Sequence, residues 1–173
     1  MSSSFTSPNA TPAVRAALRV ADEIAAAMTA GDHPALMALY AEDVVFCSPV
    51  TAVEFHGKDE VGVLMGHVMA GFDSWERTFV FADEDQFVFG ARASIAGRTV
   101  ELAELVRLAP DGLVREIRIH GRPLAGVAAI AAVAAPPLAA RRGRLRGTLV
   151  GLSSRGLPHA LAAGDALITR LAR

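Results

Sequence analysis

The chain is expected to form an α+β domain in which N-terminal helices close over a curved antiparallel sheet. Three observations predict this class. Apolar residues first recur at helical spacing, at Val14, Leu18, Ala21, Ile24, Ala25 and Met28 and again at Val61, Leu64, Met65 and Val68. From Arg77 the apolar spacing changes to every second residue, the period of a strand with one face buried. The segment Val100 to Gly121 then reads as two such strands around the turn Ala109-Pro110-Asp111-Gly112, so the helices come first and the meander follows.

Taken in order, Thr11-Pro12 supplies an N-cap followed by proline at the first helical position, and Gly31 supplies the stop. Asp32-His33-Pro34 restarts a short helix carrying Leu36, Leu39 and Tyr40, and the β-branched run Val44-Val45-Phe46 reads as a strand broken at Pro49. Thr51 to Gly57 is expected as loop. Lys58-Asp59-Glu60 opens a third helix with acids in its first turn, where the helix dipole favours them, and Gly71 closes it. Phe79-Val80-Phe81 and Gln86 to Ile95 follow as strands. Ala96-Gly97 suits a two-residue hairpin turn, which sets Ala91 opposite Leu102, Phe89 opposite Glu104 and Phe87 opposite Val106.

The register of the last hairpin has two readings. If Leu108 faces Leu113, Glu104 lies opposite Ile117 and Leu102 opposite Ile119, leaving one apolar face with a single embedded carboxylate. If Ala109 faces Leu113, Glu104 lies opposite Arg118 and becomes an ordinary cross-strand ion pair. The first is preferred because it separates an oily face from a charged one, the latter made of Glu101, Ala103, Leu105, Arg107, Glu116 and Arg118.

Leu124 to Ala135 reads as a buried helix that Pro136-Pro137 ends. The arginine-rich remainder offers a partly helical extension whose Leu145, Leu149 and Leu152 can pack on the domain, a second copy or a bilayer surface. Gly143, Gly147 and Gly151 have the spacing of a small-residue helix contact. The organisation expected is a disordered leader over 1–10, an α+β domain over 11–135 and the extension over 136–173.

Of the 173 residues 52% are hydrophobic, yet no apolar run reaches the roughly 20 residues of a membrane span. A net charge of −1 argues against general affinity for nucleic acid, and the basic residues concentrate in the extension. The N-terminus has neither a basic start nor an oily core and is not read as a signal peptide, so a cytoplasmic location is expected. Cys47, the single cysteine, rules out an internal disulfide and reads as a small buried hydrophobe.

Glu104 is the chemical candidate. Among Phe89, Leu102, Val106 and Ile117 its carboxyl would be desolvated, protonated or poised as a general base; the competing reading is an arginine-paired or solvated carboxylate. Tyr40 offers a phenol to the same interior or is simply core. Trp75 with Phe72 reads as a lid, an interface pair or plain packing. His33 and His159 are expected at the surface, His56 in a loop, His67 at the core edge and His120 on the charged face beside Glu101. No His/Asp/Glu spacing resembles a metal site and no glycine-rich phosphate loop occurs, so no metal and no cofactor are expected.

Ala30-Gly31-Asp32-His33-Pro34-Ala35-Leu36, Leu39-Tyr40-Ala41-Glu42-Asp43-Val44-Val45-Phe46 and Asp111-Gly112-Leu113-Val114-Arg115-Glu116 resemble the nuclear transport factor 2-like superfamily. Its relatives include the SnoaL-like polyketide cyclases, ketosteroid isomerase and limonene epoxide hydrolase. The resemblance covers about Thr11 to Ala135 and implies a cone around an apolar cavity. Ile24, Met28, Tyr40, Phe46, Ser48, Met65, Phe87, Phe89, Leu102, Val106, Ile117 and Ile119 are expected to line it, with Glu104 as acid or base. By the same resemblance Glu104 stands where ketosteroid isomerase places the acid of its oxyanion hole, while Ser48 before Pro49 replaces that family's base and Ile24 its tyrosine. A small hydrophobic ligand and a homodimer paired through the charged face are implied. Two functions stay open: a cofactor-free acid-base enzyme such as an isomerase, cyclase or dehydratase, or a non-catalytic binding module whose basic tail docks to a partner or an anionic membrane.

Overall fold

The computed structural model describes residues 10–171 and the strand β1, Ser3–Ser4. Most of the expected leader lies outside these residues. β1 pairs in parallel with Phe79 and Val80.

Helix α1, Pro12–Ala30, begins where Thr11 Oγ accepts the Val14 N–H at 3.2 Å and ends at Gly31, whose φ of 66° is the left-handed geometry glycine adopts freely. Asp32 caps α2, His33–Ala38, in the same way through Ala35 N. Strand β2 spans Tyr40–Cys47, so Tyr40 opens a strand and does not close the helix. The expected Thr51 to Gly57 loop contains a short strand, β3 (Phe55–His56), paired to β2. α3 covers Lys58–Gly71, and β4 follows at once as Phe72–Asp83. The strand thus starts five residues before Arg77, and Trp75 belongs to it and not to a lid. Strands β5 (Gln86–Ile95), β6 (Arg98–Leu108) and β7 (Val114–Arg122) complete the meander. The seven-stranded sheet runs β1-β4-β5-β6-β7-β2-β3.

The β5–β6 register is the one the turn residues predict: Ala91 faces Leu102, Phe89 faces Glu104 and Phe87 faces Val106. Ala96 and Gly97 both have positive φ, 49° and 70°, the geometry of the tight hairpin turn. The β6–β7 hairpin follows neither predicted register. Its turn begins with Ala109 N–H donating to Leu113 O, as in the second reading. A register shift between Arg107 and Leu108, which face Glu116 and Val114, then inserts Arg115 as an extra residue. That bulge restores the face parity of the first reading two residues further along, so Glu104 faces Ile119 and Val106 faces Ile117.

The two faces therefore divide as expected. The outer face carries exposed ion pairs, Glu76–Arg92–Glu101–Arg122 and Arg107–Glu116–Arg118, with Arg122 and not His120 beside Glu101. The inner face supplies Phe87, Phe89, Ala91, Ala93, Val100, Leu102, Val106 and Ile117 to one apolar core with α1, α3 and the helix α4, Leu124–Ala140. α4 sits so close to β6 that a Cβ on Gly126 would stand 2.6 Å from Thr99 O and 2.9 Å from Val100 Cβ. Gly126→Ala is accordingly expected to destabilise the domain by roughly 1–2 kcal/mol despite alanine's better helix propensity, readable as a lower urea midpoint at unchanged slope.

α4 also corrects the expected helix end at Pro136-Pro137, since it runs through both prolines to Ala140. Each proline removes one helical hydrogen bond. Packing compensates: α5 (Arg144–Arg155) and α6 (Leu157–Leu171) fold back on α4, and α5 approaches it through Gly147, where an added Cβ would meet Ala140 and Pro136 O. No helix among the described residues is long and apolar enough to cross a membrane.

Candidate functional site

Glu104 sits mid-strand on the inner face of β6. Phe89 on β5 and Ile119 on β7 stand across from it, and Leu102 and Val106 are its same-face neighbours along the strand. Phe89, Leu102 and Val106 are between 1% and 7% exposed, while Glu104 keeps some accessible surface. Its carboxyl makes no hydrogen bond or salt bridge among the described residues; Arg118, the alternative partner, bonds Glu116 on the other face. Desolvation by the apolar walls pushes Glu104 up to about 8, so near neutral pH it is an uncharged acid able to donate a hydrogen bond.

Tyr40 is the second polar group. The first residue of β2, it is 3% exposed, and burial followed by the nearby charge of Glu104 raises its phenol above the ordinary range. It is a neutral donor with no protein hydrogen-bond partner among the described residues, close enough to Glu104 to feel its charge. The third group, Trp75, was not read from sequence as part of a site. Its ring meets Phe89 edge to face, with centroids 6.1 Å apart, and its Nε1–H is buried without a partner. The available signal was its place in the period-two pattern: Trp75 faces Ala93, which lies on the Phe89 side of β5. Two β4 residues later, Arg77 gives Nη2 to Asp22 of α1 at 2.6 Å while Nε and Nη1 stay buried and unpartnered.

The other expected lining residues belong to the core or pack against it. Ile24 and Met65 are buried on α1 and α3, Phe46 on β2 and Phe87 and Ile117 on the sheet; Met28 and Ile119 are half-buried against the same core. Ser48 follows β2 and is spent on the Val50 N–H. Surface clefts of about 510 Å³ between α4 and α5 and about 380 Å³ along α1 involve none of these sheet residues. His33, expected at the surface, is half-buried and bonds Gly62 O at 2.7 Å, tying α2 to α3. Cys47 is likewise not fully buried and faces Glu54. Among the described residues no cluster of His, Cys, Asp or Glu could hold a metal ion.

A curved antiparallel sheet with helices packed on its inner face is the architecture of a cystatin-like fold. Residues 21–117 match the model of the SnoaL-like domain, more than half of the chain, and the protein belongs to that family. No curated protein sequence matched it. Among solved structures it is similar to a steroid delta-isomerase from Pseudomonas aeruginosa, with a TM-score of 0.68 and 21% identity over 77% of this chain and 98% of that one. A protein with a cystatin-like fold from Silicibacter pomeroyi DSS-3 gives a TM-score of 0.67 and 20% identity over 76% and 93% of the two chains. An NTF2-like protein from Mesorhizobium loti gives 0.61 and 19% over 66% and 98%. At these identities the likeness establishes the fold.

Proposed function

We propose that the domain binds a small hydrophobic molecule with an oxygen acceptor, such as a ketone, between the sheet and its helices. Protonated Glu104 and the Tyr40 hydroxyl would donate to that oxygen. The observation that carries this reading is the unpaired carboxyl of Glu104 in apolar surroundings, because an uncompensated buried acid costs stability that folding alone does not require. Two neutral donors beside one another polarise a carbonyl and stabilise negative charge that develops on its oxygen. Cofactor-free isomerisation, cyclisation or dehydration are the reactions such a pair assists. The position before Pro49, where the resemblance implies a base, holds Ser48, which cannot remove a proton from carbon near neutral pH. Turnover that removes a proton from carbon therefore requires a base other than Ser48.

Trp75 is the one tryptophan of the chain and meets Phe89 edge to face, so its fluorescence reports on this interior. Titration with hydrophobic ketones, a steroid ketone included, is expected to change the Trp75 emission saturably, and Glu104→Gln combined with Tyr40→Phe is expected to weaken that binding by about tenfold or more. Ketones that leave both the emission and the melting temperature unchanged, or equal affinity in the double variant, would overturn the proposal. Saturable binding without conversion of the ketone would leave a binding protein and remove the enzyme.

A further inference from the structure

The helical hairpin beyond the sheet domain carries an apolar face that the other described residues do not cover. On α5, Gly147 and Gly151 face α4; a Cβ on Gly147 would stand 2.7 Å from Ala140 Cβ. At 100° per residue, Leu145, Leu149 and Leu152 fall on the far side of the helix, and they are 81%, 66% and 63% exposed. The same geometry puts Arg144 and Arg155 along one border of the leucine stripe and Arg146 along the other, all exposed. On α6, Ile168 and Leu171 are also exposed.

We propose that this hairpin docks the protein on an anionic lipid surface, with the leucine stripe at the acyl boundary and the arginines at the headgroup phosphates. The charge pattern selects this occupant. No acidic residue lies between Glu116 and Asp165, and because the whole chain sums to −1 the remainder carries compensating negative charge. The field of an anionic membrane therefore attracts the hairpin and repels the rest, which orients the approach. A second copy seated on the same stripe by two-fold symmetry would set arginines against arginines. The cleft of about 510 Å³ between α4 and α5 has Arg144 and Arg155 in its wall with Leu152, the one leucine of the stripe that borders it, a place for a phosphate within reach of the acyl boundary. With 12 residues, α5 lies along a membrane and does not span it.

The test uses the full chain with vesicles of phosphatidylcholine alone and vesicles enriched in phosphatidylglycerol, read by flotation. Binding is expected on the anionic vesicles, weaker by about tenfold or more on the neutral ones, and reduced by salt. Leu149→Glu with Leu152→Glu changes solvent-facing positions, so the melting temperature should hold while vesicle binding falls by about tenfold or more. Arg144→Gln with Arg146→Gln should weaken binding and flatten its salt dependence. Absence of binding, equal binding to both vesicle types, or unchanged binding in the leucine variant would overturn the proposal. So would light scattering that detects a dimer which the leucine variant abolishes, since the stripe would then belong to a second copy.

Discussion

Glu104→Gln is expected to leave thermal stability nearly unchanged near pH 4 and to raise it near pH 8. Burial raises the folded carboxyl from an ordinary 4.5 to about 8, so the folded state holds this proton more tightly than the unfolded chain does. Below the unfolded value both states are protonated and the residue costs nothing electrostatically. Between the two values the unfolded chain ionises while the folded protein does not, and stability falls by up to about 1.4 kcal/mol per pH unit. Above the folded value the full cost is present. Because Glu104 keeps some accessible surface, water screens part of it, and a gain of about 1–3 kcal/mol at pH 8 is expected in the glutamine variant. Calorimetric melting at pH 4, 6 and 8 reads the difference. A variant clearly less stable than the parent at pH 7 would mean that a partner holds the carboxylate charged, and the buried acid would be wrong.

Much of this site was legible in the sequence because two-residue periodicity fixes which side of a strand a residue occupies. Ala96-Gly97 can hardly form anything but a tight turn, and that turn alone places Phe89 against Glu104. The face of Glu104 relative to β7 was also anticipated, but its partner was not. Ile119 replaces Ile117 because Arg115 bulges out, and a bulge leaves no mark in an alternating pattern except an offset that the turn can equally absorb. Trp75 was missed for a related reason. Phe72-Asp73-Ser74-Trp75-Glu76 lacks the β-branched residues that signal a strand, and pairing with β5 imposes the extended form on it. The continuation of α4 through Pro136-Pro137 depends on contacts with α5, which local propensity does not contain.

Phe89→Ala is expected to produce the largest loss of stability of any single change at this site, about 3–5 kcal/mol, with Phe89→Leu costing much less. The ring is 1% exposed, meets Trp75 edge to face and stacks on Phe87 at a centroid separation of 6.1 Å, so its removal leaves a void lined by aromatic faces on two sides. The void also opens directly opposite Glu104. Water entering there has a polar partner in the carboxyl, and a hydrated carboxyl ionises more readily. The midpoint at which Trp75 emission follows Glu104 ionisation should therefore move down from near 8 toward the ordinary carboxylate range in the alanine variant, and much less in the leucine variant. Urea unfolding and a fluorescence pH titration of the same samples separate the two effects. A large stability loss with the midpoint unmoved would assign the desolvation of Glu104 to Leu102, Val106 and the helices, and would remove Phe89 from the acid's environment while leaving it in the core.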